Sequence, residues 1–228
     1  MDDIGANVAS VRRRIAAACA AAGRPADAVR LLAVSKTFAV DAIGKAISAG
    51  ANEFGENYLR EALAKISQLP RAGLTWHFIG PVQSNKTKAI AESFDWVHGI
   101  DRLKIAQRLS DQRPASQAPL QVCVQVNISG EASKSGCAPE QAESLCRAVA
   151  DLPRLQLRGL MAIPAPEASA RDLRADYRRL RELYESLRRS GLQVDTLSAG
   201  MSDDLEIAIG EGSTLVRIGT AIFGERAK

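Results

Sequence analysis

Residues 29–57, VRLLAVSKTFAVDAIGKAISAGANEFGEN, decide the fold, because they hold one whole strand–helix–strand unit. Val29–Ser35 is a short apolar run, Val40–Ser48 carries apolar residues at helical spacing and stops at Gly50, and Asn52–Phe54 begins the next extended run. On the N-terminal side, Ile4–Ala22 reads as an Ala/Arg-rich helix closed by Gly23 and Pro25. On the C-terminal side the alternation repeats. Helical patterns are predicted over Tyr58–Leu69, Ser84 to Phe94, Arg102–Gln112, Glu140–Leu152, Ala168–Ser190 and Asp203–Ile209. Extended runs are predicted over Leu74–Ile79, Trp96–His98, Gln121–Ile128, Leu155–Ile163, Val194–Ser198 and Leu215–Ile218. Strands separated by helices favour a parallel sheet covered by helices, and eight such units suit a closed (β/α)8 TIM-type barrel better than an open sheet. The 228 residues match one barrel, so residues 1–228 are read as one α/β domain with an extra N-terminal helix.

Composition narrows the class. A hydrophobic fraction of 46% with 25% charged residues is that of a globular protein rather than a disordered or fibrous one. Apolar stretches such as Ile15–Ala22 are far too short to cross a bilayer. The opening Met-Asp-Asp shows no basic segment followed by an apolar one, so the expectation is a cytoplasmic protein with no membrane partner. Cys19, Cys123, Cys137 and Cys146 form no CxxC pair and read as reduced, partly buried residues. Two histidines, His77 and His98, are too few for a histidine-rich metal site. The net charge of +4 is spread out, and is densest in Arg171–Arg189, where seven arginines interleave with Asp172, Asp176, Glu182 and Glu185. That alternation marks a solvated helix face, so no nucleic acid is expected as partner.

Polar and glycine-rich clusters fall just after the predicted strands, where a barrel's loops converge on one face. Lys36 ends the apolar run Leu31–Val34. A lysine there is commonly a solvated loop residue; desolvated, it becomes a nucleophile toward an aldehyde. Gly219 and Thr220 follow the last strand, where open backbone N–H groups can receive a phosphate. Arg217 either points inward to a pyridine nitrogen or carboxylate, or sits on the outer wall beside a helix carboxylate. Ser198–Asp204 offers two hydroxyls and Gly200; Ser202 is a candidate helix cap, and the segment is equally suited to cradle an anion. Gly80–Thr87 nearly matches the phosphate-binding GxxxxGK[ST] loop, but Asn85 replaces its second glycine, which argues against nucleotide hydrolysis.

Together these motifs closely resemble the pyridoxal phosphate homeostasis protein family, also called the YggS or proline synthetase co-transcribed family. They are Leu32–Thr37, Phe54–Asn57, Trp76–Lys86, Val126–Ser129 with Lys134–Gly136, Arg158–Ile163, Gly200–Leu205 and Val216–Gly224. One departure is Ala199, where methionine is expected. The resemblance implies the alanine racemase N-terminal barrel, fold type III among pyridoxal 5'-phosphate (PLP) proteins. It implies PLP held as a Schiff base on Lys36, with Arg217 facing the pyridine nitrogen and Gly219 and Thr220 in the phosphate-binding turn. It places Ser198 and Ser202 in the other phosphate segment and Asn57 beside the cofactor. His77, Gln83 and Asn85 lie in a family motif without an assigned role.

Two functions compete on this basis. The resemblance favours a non-catalytic carrier in vitamin B6 homeostasis, exchanging PLP with client enzymes, and an arginine against the pyridine nitrogen weakens the ring as an electron sink. The alternative is a PLP-dependent amino-acid racemase, which needs an acid/base on each face of the substrate. In alanine racemase the second base is a tyrosine from a C-terminal β-domain of the partner subunit. This chain ends four residues after Gly224, so a monomer without that base is expected; Tyr58, Tyr177 and Tyr184 are poor substitutes.

Overall fold

The computed structural model describes residues 3–131, 135–165 and 168–225. Lys134, part of one motif quoted above, lies outside them. A first helix, α1 (Ile4–Ala21), precedes the sheet, and Asp3 caps it by accepting from the Ala6 N–H at 3.1 Å. Strand and helix then alternate: β1 (Arg30–Val34), α2 (Val40–Ser48), β2 (Glu53–Glu56), α3 (Leu59–Ile66), β3 (Thr75–Phe78), α4 (Thr87–Ser93), β4 (Trp96–Ile100) and α5 (Leu103–Gln112). The second half continues with β5 (Leu120–Gln125), α6 (Ala142–Ala150), β6 (Leu155–Met161), α7 (Ala170–Arg189), β7 (Thr196–Ser198), α8 (Leu205–Gly210), β8 (Leu215–Ile218) and a short α9 (Thr220–Phe223).

Every neighbouring pair of strands is parallel, and β8 returns to β1 in the register Leu32↔Arg217 and Ala33↔Ile218, closing an eight-stranded barrel. Closure leaves no sheet edge. Successive strand residues face opposite ways. Leu32, Val34 and Leu215 pack with Ile79 inside the barrel, whereas Ala33, Val216 and Ile218 join the larger core between sheet and helices. Trp96, Cys123 and Met161 form another interior cluster, with Arg30 and Arg158 stacked over the Trp96 ring.

Several boundaries differ from the sequence expectation for identifiable reasons. Gln121–Ile128 was expected to be extended throughout, but β5 stops at Gln125. Returning chain takes the next backbone bonds: Cys137 N–H donates to Gln125 O at 2.9 Å and Asn127 N–H to Cys137 O at 2.9 Å. Ser84 does not cap α4, which begins three residues later; its carbonyl instead accepts from Thr87 Oγ1 and Arg108 Nε, each at 3.0 Å. Gly80 is needed for packing rather than for nucleotide approach, since a Cβ there would lie 2.7 Å from Asn57 O. The charged helix α7 engages Glu140, Glu185 and Glu211 through Arg178, Arg179, Arg181 and Arg189. All four cysteines are free and buried, and burial pushes the thiols of Cys137 and Cys123 up to about 11 and about 12. Among the described residues no helix is long and apolar enough to cross a membrane, and no cluster of His, Cys, Asp and Glu could hold a metal ion.

Candidate functional site

The inward-facing period of the strands runs one step past their ends and builds the site. Lys36 follows Val34, Asn57 follows Gly55, Ile79 follows His77, Ile163 follows Met161, and Gly219 follows Arg217. All five line one cavity of about 190 Å³, together with Val34, Phe38, Met201, Ser202, Asp203, Arg217, Thr220 and Gly224. These positions lie at the carboxyl ends of the strands, the face where barrel enzymes keep their chemistry. Of the seven expected site residues, six meet here: Lys36, Asn57, Ser202, Arg217, Gly219 and Thr220.

Ser198 does not line the cavity. It is fully buried, and its hydroxyl accepts from Arg217 Nη1 at 2.9 Å and meets His98 Nδ1 at 2.9 Å. Of the two readings of Arg217, the structure has the inward one. Its guanidinium donates through Nη1 to Ser198 O at 2.7 Å and through Nη2 to Ala162 O at 2.9 Å, so the head group is fixed at the cavity wall. Among the described residues Nε has no acceptor. Burial pulls the Arg217 pKa down, and the Tyr177 and Asp204 pair nearby opposes that.

Beneath Arg217 runs a buried polar chain that the sequence did not reveal. His98 Nε2 and His77 Nδ1 are 3.0 Å apart, and His77 Nε2 faces Glu53 Oε2 at 3.2 Å, a close approach that falls short of an aligned hydrogen bond. Since Arg217 already donates to Ser198 Oγ, the serine O–H is left to donate to His98 Nδ1. His98 then donates from Nε2 to His77 Nδ1, and His77 turns its own Nε2–H toward Glu53. Burial lowers the pKa of both histidines, that of His98 well below the ordinary 6.5. Neither should titrate with a midpoint near 6.5, and with only two histidines in the chain their imidazole NMR signals answer this directly. In the unfolded chain they do protonate there, so their contribution to stability is complete above 6.5 and is lost as pH falls toward the folded pKa values. An ordinary titration curve for His98 would contradict this placement.

Opposite Arg217, two turns leave donors open. The N–H groups of Ser202, Asp203, Gly219 and Thr220 have no acceptor among the described residues, while Ala221 N–H donates to Ser202 Oγ at 3.3 Å. Ser202 is therefore not the helix cap. The helix begins later, at Leu205, because Asp204 accepts from Met201 N–H at 2.5 Å and from Tyr177 Oη at 2.6 Å. Gly219 has a φ of −111°, and a Cβ there would meet Val34 O at 3.4 Å, an ordinary contact. Neither backbone nor packing demands a glycine at that position. Among the described residues Asn57 Oδ1, buried at the same wall, has no partner. Among the described residues no tyrosine, histidine or cysteine lines the cavity; beside Lys36 its ionisable groups are Arg217 and Asp203. Gln83 and Asn85 are exposed and outside it.

The chain next to Lys36 is strained. Thr37 has φ +71°, the one positive φ at a non-glycine among the described residues. A β-branched residue there costs on the order of 1–3 kcal/mol. Its N–H donates to Glu61 Oε1 at 2.5 Å.

The sequence profile of the alanine racemase N-terminal domain family matches residues 6–227. The chain is 61% identical over 226 residues to the pyridoxal phosphate homeostasis protein of Pseudomonas aeruginosa, covering 99% of this chain and 97% of that one. It is 54% identical over 229 residues to the pyridoxal phosphate homeostasis protein of Escherichia coli (strain K12), covering 99% and 98%. Among solved structures, PipY of Synechococcus elongatus PCC7942 with PLP bound superposes with a TM-score of 0.83 at 33% identity, covering 97% of this chain and all of that one.

Proposed function

The chain belongs to the pyridoxal phosphate homeostasis proteins, within the alanine racemase N-terminal domain family, and from that membership we propose that it holds PLP on Lys36 as a carrier in vitamin B6 homeostasis. One observation carries the reading: Lys36, the Arg217 guanidinium and four open backbone N–H groups surround a single cavity. When bound, PLP supplies an aldehyde that condenses with the lysine amine, releasing water. The protein's part is to hold and orient. Arg217, fixed by Ser198 and Ala162, would offer Nε to the pyridine nitrogen, and a permanent cation there would disfavour protonation of that nitrogen. The N–H groups at residues 202–203 and 219–220 would receive the phosphate, an arrangement recurrent in barrels after strands seven and eight beside a short extra helix. Asn57 brings an unpaired carbonyl to the wall.

The same lining supports a carrier over a racemase. Tyr177 and Tyr184 are buried with their hydroxyls given to Asp204 and Val194 O, and exposed Tyr58 is not part of the cavity. Among the described residues no tyrosine lines the cavity opposite Lys36 to serve as the second base of a racemase. We place the protein in the cytoplasm, which buried unpaired thiols suit, with apo-forms of PLP enzymes as clients. A monomer fits a described surface whose large exposed apolar side chains are Tyr58, Leu103 and Met201. Residues 1–228 are taken to act as one unit.

Adding PLP to the ligand-free protein should produce a near-visible absorption band that survives dialysis; its absence would sink the proposal. The same band tests Arg217. Arg217→Gln keeps a donor for the buried carbonyls and removes the fixed charge, so the band should shift and its pH dependence change. An unshifted band with cofactor retained would mean that the ring nitrogen has another partner.

A further inference from the structure

Lys36 is flanked by two backbone positions that are held unusually firmly, and one buried ammonium joins them. Ser35, before it, is fully buried and bonded at every polar atom. Its N–H donates to Gly55 O at 3.0 Å, its hydroxyl donates to Glu56 Oε1 at 2.6 Å, and its carbonyl accepts from Lys65 Nζ at 2.7 Å. Thr37, after it, is in the left-handed region and donates its N–H to Glu61 Oε1 at 2.5 Å. Lys65 ties the two sides together, since Nζ also donates to Glu56 Oε1 at 2.8 Å and to Glu61 Oε1 at 2.5 Å. Lys65 is only 4% exposed and Glu56 0%. Glu56 Oε2 has no partner among the described residues, and burial pushes the Glu56 carboxyl up despite the ammonium beside it.

Such a cluster is a poor device for stability alone, because removing the Glu56 carboxylate and the Lys65 ammonium from water offsets most of their attraction. What it does hold is a backbone conformation that threonine resists. Residues 36–38 form a wall between the cavity and an open outer groove; Phe38 lines both, and Thr37, Glu61 and Lys65 line the groove. If Thr37 relaxed to a negative φ, the Lys36 Cα would turn and carry its amine away from the cavity's fixed points.

We propose that Lys65, bridging Glu56 and Glu61, is a positioning residue that locks the strained Thr37 backbone and thereby aims the Lys36 amine at its aldehyde. This rests on the reading of Lys36 given above. Attachment depends steeply on placement of the amine, whereas the phosphate donors at residues 202–203 and 219–220 lie in the turns after β7 and β8, away from the lock.

Glu61→Ala removes the acceptor for Thr37 and leaves Lys65 paired with Glu56, so it is the gentler variant; Lys65→Met is the stronger one, with Lys65→Arg as its conservative control. In the ligand-free protein, Glu61→Ala should speed hydrogen exchange of the Thr37 amide. With PLP, it should slow the attachment rate at Lys36 by about ten-fold or more, read by borohydride quenching and peptide mapping. Adding Thr37→Gly, for which a positive φ is unstrained, should restore attachment in either background, a rescue that a merely structural role would not give. Attachment unchanged in Glu61→Ala despite faster Thr37 exchange would overturn the proposal, as would a loss that Thr37→Gly does not restore. Wild-type protein that is never labelled on Lys36 would overturn the carrier reading itself, a result distinct from either.

Discussion

Lys36→Ala should fold normally and lose every trace of borohydride-fixable PLP. Lys36 is half-buried just beyond β1, and the bonds that shape its turn come from Ser35 and Thr37 through atoms the substitution leaves in place. The stability change should therefore stay within about 1 kcal/mol, small beside that of a core truncation. The near-visible band should vanish completely. Retained PLP would be held only through its phosphate and ring, and would wash out on dialysis. Absorption spectra before and after dialysis, with a denaturant melt to check the fold, decide it. A variant that keeps the band would place the bond on another lysine.

The second large effect concerns phosphate. Pyridoxal has the same aldehyde and the same ring nitrogen but nothing for the open N–H groups at residues 202–203 and 219–220. Charge-assisted hydrogen bonds are roughly twice as strong as neutral ones. Losing several should weaken binding by about two orders of magnitude, or ~2.7 kcal/mol. Gly219→Asp should reproduce that loss for PLP. A Cβ at residue 219 touches Val34 O no closer than 3.4 Å, so the chain can accept the side chain. The harm would come from a carboxylate placed where the phosphate must sit. Titrating both aldehydes into ligand-free protein makes the comparison, and equal affinities would remove the cradle.

The barrel was legible because its signals are local. Val40–Ser48 and Leu215–Ile218 have the expected bounds, and polar or glycine-rich clusters just after the predicted strands line the cavity. The misses depend on partners far along the chain. Ser198 was grouped with the phosphate residues, but its side chain serves Arg217 and His98, the latter 100 positions away. The start of α8 was misplaced because Asp204 is engaged by Tyr177, 27 residues upstream. The four-residue α9 has too little sequence to show helical spacing. Glu56 stands inside the motif Phe54–Asn57 with no role of its own, Glu61 and Lys65 read as ordinary charged positions on an amphipathic helix, and nothing in a threonine announces a positive φ. A lysine on the buried stripe of α3 was the one available hint, since an unpaired ammonium is rarely enclosed.

The central claim is that PLP is bonded to Lys36, and the most direct measurement is borohydride reduction of the PLP-loaded protein followed by peptide mapping. A single pyridoxyl group should appear, on the peptide containing Lys36. A label on exposed Lys45 or Lys86, on buried Lys65, or on no lysine at all would contradict it.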